Sequence, residues 1–212
     1  ENFNVARIKR SLFRESYLGL VYTGRSADAD SVYRDQDLLG IDLDLSTSRF
    51  KGDQNLEFQA FFVGHSSPKE NPDATMSDLS TRGIRLNYPN DLWQAHVSYR
   101  EFGQEFDPTV GFNTRNGFKR VEPSVSYRPR PEHWELIRQM EFGIEFEYMT
   151  DLDNRLLKRE TEFTLFELNF ESAEKLSAKV VNLKEYLDED FEIIEGNLIT
   201  VGDYVTNGFQ IS

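Results

Sequence analysis

The sequence predicts an all-β chain, an antiparallel up-and-down meander that forms part of a transmembrane β-barrel. Three observations lead there. Apolar and polar residues alternate with a period of two along most of the chain, as on a strand with one apolar and one polar face. Several of these runs reach about ten residues, which is what a tilted strand needs to cross a bilayer core; strands of water-soluble domains average about five or six. The connections also sort by parity. Odd-numbered ones are short and even-numbered ones mostly long, as in an outer-membrane barrel with tight turns at one end and loops at the other. A Greek-key sandwich has no reason to sort its loops this way.

The 212 residues include no cysteine, which excludes a disulfide framework and thiolate metal sites. A net charge of -13 argues against nucleic acid as a partner, because that needs a basic footprint. No run of about 18 apolar residues is present, so no transmembrane helix is expected. No signal peptide opens the chain, which starts on a strand-like run and is expected to be a mature segment or an excised piece. The low mean hydropathy, -0.59, is compatible with a barrel, in which only alternate residues face lipid.

In order, residues 3–9 form a first strand, with Phe3 and Val5 opposite Asn4 and Ala6. Residues 17–23 set Leu18, Leu20 and Tyr22 against Gly19 and Val21. The third strand, 38–46, puts Leu39, Ile41, Leu43 and Leu45 on one face and Gly40, Asp42, Asp44 and Ser46 on the other. The fourth, 56–63, sets Leu56, Phe58, Ala60 and Phe62 against Glu57 and Gln59. Long loops follow the second and fourth strands.

Residues 82–88 and 92–102 make the clearest hairpin. Its turn is Pro89-Asn90-Asp91, where Pro fixes φ and Asn and Asp bond their own backbone. Trp93, Ala95, Val97 and Tyr99 share a face opposite Gln94, His96, Ser98 and Arg100. Tyr88 and Trp93 at the turn, and Tyr99 and Phe102 at the far end, stand where a membrane strand keeps its aromatic girdles. Residues 103–117 form a loop.

The seventh strand, 118–128, sets Val121, Val125 and Tyr127 against Glu122, Ser124 and Ser126. Pro123 inside it donates no ladder bond and calls for a bulge or a weak pairing. The eighth, 140–150, alternates Met140, Phe142, Ile144, Phe146 and Tyr148 with Glu141, Gly143, Glu145 and Glu147. The phase of the ninth, 161–170, slips between Leu165 and Phe166, which predicts a bulge. Residues 172–187 fit a helical stripe through Leu176, Val180, Leu183 and Leu187, but their neighbours favour a tenth strand, 176–187. An eleventh begins at Asp203. The connection 149–158 is the one exception to the parity of the loops.

One loop carries a resemblance. Phe106-Asp-Pro-Thr-Val-Gly-Phe112 followed by Thr114-Arg-Asn-Gly-Phe118 resembles the signature of uncharacterised bacterial outer-membrane barrels that follow a family-9-type carbohydrate-binding domain. Further pieces agree in order and spacing over roughly the first 130 residues: Ala6–Arg10, Leu18–Arg25 and Gly40–Asp42. The later part fits more loosely, through Phe191–Ile193 and Gly202–Tyr204. The resemblance implies a barrel in the outer membrane of Gram-negative bacteria, with further strands and a preceding carbohydrate-binding domain outside this chain. It supplies no catalytic residues.

The candidate binding residues are those expected on the polar, lumen-facing side: Asp42, Asp44, Arg85, His96, Arg100, Glu145 and Glu147. Paired carboxylates in the row Glu141, Glu145 and Glu147 could serve glycoside hydrolysis, but such rows are common on the wet face of a strand. Asp28, Asp30, Asp35 and Asp37 lack the Gly and terminal Glu of a calcium loop. His65, His96 and His133 are scattered without metal-ligand spacing. Trp93 and Trp134 suit interfacial anchoring as well as stacking on sugar. No catalytic residue, metal or cofactor is assigned. The expected partners are outer-membrane lipid and, through the absent domain, carbohydrate. The alternative is a secreted, water-soluble β-sandwich that binds polysaccharide.

Overall fold

The computed structural model describes residues 2–26, 35–66, 73–194 and 196–212. Among them the chain is all strand, turn and loop, with no helix. Eleven strands form one sheet: β1 (Asn2–Leu12), β2 (Ser16–Ser26), β3 (Gln36–Phe50), β4 (Gln54–His65), β5 (Ser80–Pro89), β6 (Trp93–Phe102), β7 (Phe118–Tyr127), β8 (Ile137–Asp151), β9 (Leu156–Phe170), β10 (Lys175–Leu187) and β13 (Gly202–Ile211). Between the last two, β11 (Phe191–Ile194) and β12 (Asn197–Ile199) pair as a separate small hairpin, which no clean alternation in the sequence announces. Each strand of the large sheet lies beside its neighbour in sequence, so the meander has no crossover. β1 and β13 are its two ends, and no ladder joins them among the described residues; the sheet is not closed.

The strands run 10 to 15 residues, longer than the apolar alternation alone marks out. β3, for example, runs on to Phe50: Thr47 still pairs with Leu56 and, after an irregularity at Ser48 and Arg49, Phe50 pairs with Gln54. The turns at residues 13–15, 51–53 and 90–92 are correspondingly tight, and the connections 66–79 and 103–117 long. The parity breaks twice: residues 128–136 are a longer odd connection, and 152–155 a short even one. The segment 172–187 is strand, not helix, from Lys175. The predicted bulge is present. Ala178 pairs with Phe166 and Lys179 with Thr164, leaving Leu165 as the extra residue. β7 runs through Pro123 without a break.

By its contacts the chain divides into two units, Glu1–Asn87 with Ser98–Lys119, and Tyr88–Val97 with Arg120–Ser212. In the first, register sets whole rows of apolar side chains in line. Leu20, Ile41 and Phe62 face one another across β2, β3 and β4, and Leu18, Leu43, Ala60 and Ile84 across β2 to β5. In the second, Ile144, Phe163, Val180 and Phe209 line up across β8, β9, β10 and β13. These rows are open to the outside. Leu39 is 63% exposed, Ile41 44%, Ile84 53% and Phe209 64%. Only six apolar side chains are buried among the described residues, and two of them, Phe106 and Phe118, belong to the loop 103–117 and the strand after it.

The pairing of β1 corrects one expectation. Phe3 and Val5 lie opposite Arg25 and Thr23, on the same face as Arg7, so they belong to the polar side; Ala6 and Ile8 stand on the apolar side, opposite Tyr22 and Leu20.

Candidate functional site: the polar face

Alternation puts many of the charged residues on the face opposite the apolar rows, and register brings opposite signs together; Arg82, the register partner of Phe62 and 2.7 Å from Glu101, is an exception on the apolar side. In the first unit Arg7 donates two hydrogen bonds to Asp42, at 2.7 and 2.9 Å, across the intervening β2. The bridge passes over Gly19, where a Cβ would lie 2.5 Å from an Asp42 oxygen. Asp44 accepts from Gln59 at 3.0 Å and from Ser46 at 2.6 Å. Arg85 is the register partner of Gln59, with its Nε buried and without a hydrogen-bond partner. Arg100 is half-buried and by alternation shares this face.

In the second unit Glu145 stands directly opposite Glu162, and Glu147 opposite Glu160. Like charges so placed repel. Lysines relieve them: Lys158 bridges Glu147 at 2.8 Å and Glu160 at 2.7 Å, and Lys179 reaches Glu162 at 2.6 Å. Arg120 sits 3.2 Å from Glu122 and 3.7 Å from Glu147. His96 Nδ1 lies 2.8 Å from the Ser124 hydroxyl. A 280 Å³ cleft opens among His96, Glu122, Glu145 and Glu147. Of the predicted residues, the structure therefore brings His96, Glu145 and Glu147 together, and joins Asp42 and Asp44 to separate partners on β1 and β4.

The sequence missed the most deeply buried part of the polar face. In the first unit the loop 103–117 lies on it. Arg25 donates to the carbonyl of Thr109 at 3.0 Å and to the Gln36 side chain at 2.6 Å, with its guanidinium 3.4 Å from the Asp107 carboxylate. Gln36 donates in turn to the Asp107 carbonyl at 3.1 Å. His65, 2% exposed, holds the Glu105 carbonyl at 2.8 Å through Nε2. A carbonyl only accepts, so Nε2 carries the proton. Phe102 stacks on Phe118 at 4.8 Å and meets Phe106 edge-on at 5.8 Å. This corrects its expected place: Phe102 packs within the loop cluster, not on an outward girdle. Trp93 does stand on the apolar side, 4.7 Å from Tyr127.

Two glycines at the ends of the loop sit where a side chain would not fit. At Gly103 a Cβ would lie 2.2 Å from the Asp78 carbonyl oxygen, and Gly117 has φ +67 with a Cβ position 2.0 Å from Gln104. The run Phe106 to Phe118 and the stretch Leu18–Arg25, both singled out for a resemblance, pointed here. Arg25, Gln36 and His65 lie at strand ends, where no periodicity marks them.

Asp28 and Asp30 lie outside the described residues. Asp37 accepts from the Tyr22 hydroxyl at 2.7 Å. Among the described residues no group of three or more His, Asp or Glu is placed to hold a metal ion. Comparison with family models, curated proteins and solved structures finds no match for this chain.

Proposed function

We propose that this chain is a segment of a bacterial outer-membrane β-barrel, non-enzymatic, acting as a conduit or as the membrane anchor of a carbohydrate-binding surface module. One observation carries the reading: the sheet leaves rows of apolar side chains uncovered on one face and gathers ion pairs such as Arg7–Asp42 and Lys158–Glu147 on the other. In water such continuous apolar rows are unfavourable by about 25 cal/mol per Å², and monomeric soluble proteins rarely expose large contiguous patches. In lipid the same rows are the favoured surface, and strands can span only when their backbone groups are paired. Strand lengths of 10 to 15 residues suit a tilted crossing. The free edges of β1 and β13 would then pair with further strands to complete a barrel. The carbohydrate link and the outer-membrane location come from the resemblance carried by Phe106–Phe118.

Fractionation of the full-length protein tests this. The expected result is extraction only with detergent and a heat-modifiable gel mobility. A protein that stays monodisperse in buffer without detergent, with unchanged mobility on heating, would overturn it and favour the soluble polysaccharide binder.

A further inference from the structure

We propose that residues 103–117 are a plug, latched over the polar face of the first unit by Arg25, and that release of this latch uncovers that face. What an uncovered face would conduct rests on the barrel reading; the latch itself does not.

The contacts are concentrated at one end of the strands. Register places Thr23, Leu38 and His65 in one row of the polar face, with Arg25 and Gln36 in the next. All five are buried, and three of them, Arg25, Gln36 and His65, bond directly to the loop. Elsewhere on this face Asp42 and Asp44 are only half-buried. The loop is therefore the cover of these two rows.

The cover is held by strong bonds but fits imperfectly. The hydroxyls of Thr23 and Thr109 and the Nδ1 of His65 are buried with no hydrogen-bond partner, and each such group raises the free energy of the closed form. Thr109 has φ +64, a left-handed conformation that a β-branched residue rarely adopts. Lifting the loop would hydrate all three polar groups and let Thr109 relax. Beside the Arg25 cluster, between the loop and the polar side of β1, lies an open cleft of 620 Å³ lined by Phe3, Val5, Arg25 and Phe112, so the loop does not pack tightly against β1. What opposes release is the set of bonds from Arg25, Gln36 and His65 to the loop; deleting Arg25 would leave the Asp107 carboxylate buried in the closed form without that cation, which favours opening.

The test uses the full chain folded in detergent micelles or lipid. The sequence has no cysteine, so Thr23→Cys introduces a single thiol under the loop. Its rate of reaction with a maleimide reports opening. The parent should react slowly. Arg25→Ala should accelerate the reaction on the order of a hundredfold, and Arg25→Lys less. Thr109→Gly, which removes the strain and an unpartnered hydroxyl, should slow it severalfold. Equal rates in the parent and Arg25→Ala would overturn the proposal. If Arg25→Ala does not fold, Thr109→Gly decides, and a rate unchanged or raised would overturn it. In planar bilayers Arg25→Ala should also raise the conductance. Faster labelling without a change in conductance supports the plug and counts against a conduit.

Discussion

The substitution Ile41→Arg separates a lipid-facing surface from a water-facing one by magnitude. Ile41 lies in the body of β3, between Leu20 and Phe62 on the neighbouring strands, and is 44% exposed. If this face meets water, a charge here replaces a poorly solvated side chain with a soluble one, and stability should move by no more than about 0.5 kcal/mol. If it meets lipid, arginine near the bilayer midplane should destabilise by about 2–4 kcal/mol. The two ranges do not overlap. The assay is reversible urea unfolding of the full-length protein in zwitterionic vesicles, followed by tryptophan emission. A loss below about 0.5 kcal/mol would refute the assignment of this face to lipid.

Three further outcomes follow from the polar side. Lys158→Met should leave Glu147 facing Glu160 without their shared cation and cost about 1 kcal/mol at low salt, most of it recovered at high salt; a salt-independent loss would contradict the pairing. Gly103→Ala should destabilise by more than about 2 kcal/mol in a denaturant titration and speed the labelling of Thr23→Cys, since the new methyl meets backbone oxygens of Ser77 and Asp78 that cannot step aside. Asp78, in the connection 66–79, accepts from the Thr75 hydroxyl and backbone N–H, and these bonds hold its carboxyl below the ordinary value. Its contribution is then complete above the unfolded carboxylate range and disappears as pH falls through the folded value. Melting temperatures below about pH 4 should therefore fall less steeply in Asp78→Asn than in the parent, and parallel slopes would contradict this.

What the sequence made readable was whatever repeats with period two. Leu39 to Leu45 on β3 and Met140 to Tyr148 on β8 fixed both strands and their faces, because one slipped residue would exchange every apolar side chain for a charged one. The same sensitivity revealed the bulge at Leu165. Strand ends were not readable. Beyond Ser46 or Lys9 the ladder continues on backbone bonds that are indifferent to the side chains. The face of Phe3 and Val5 was misjudged for a related reason: in this edge strand Val5 and Ala6 stand side by side, as do Lys9 and Arg10, so no single period dominates. The plug was half visible. Its aromatic and glycine run stood out, but the residues that receive it, Arg25, Gln36 and His65, come from three strand ends far apart in sequence. Only folding assembles them. Phe102 shows the limit of placing aromatics by position alone, since an aromatic at a strand end serves equally as a girdle or as a seat for the adjoining loop.

The central claim is that the apolar rows look onto lipid tails. The most direct measurement is a single-cysteine spin-label scan along residues 38–45 of β3, in vesicles, comparing collision with molecular oxygen and with a water-soluble nickel chelate. Labels at Leu39, Ile41, Leu43 and Leu45 should meet oxygen, and those at Gly40, Asp42 and Asp44 should be shielded from it, alternating with each residue. Nickel accessibility at Leu39, Ile41 and Leu43, or no alternation at all, would contradict it.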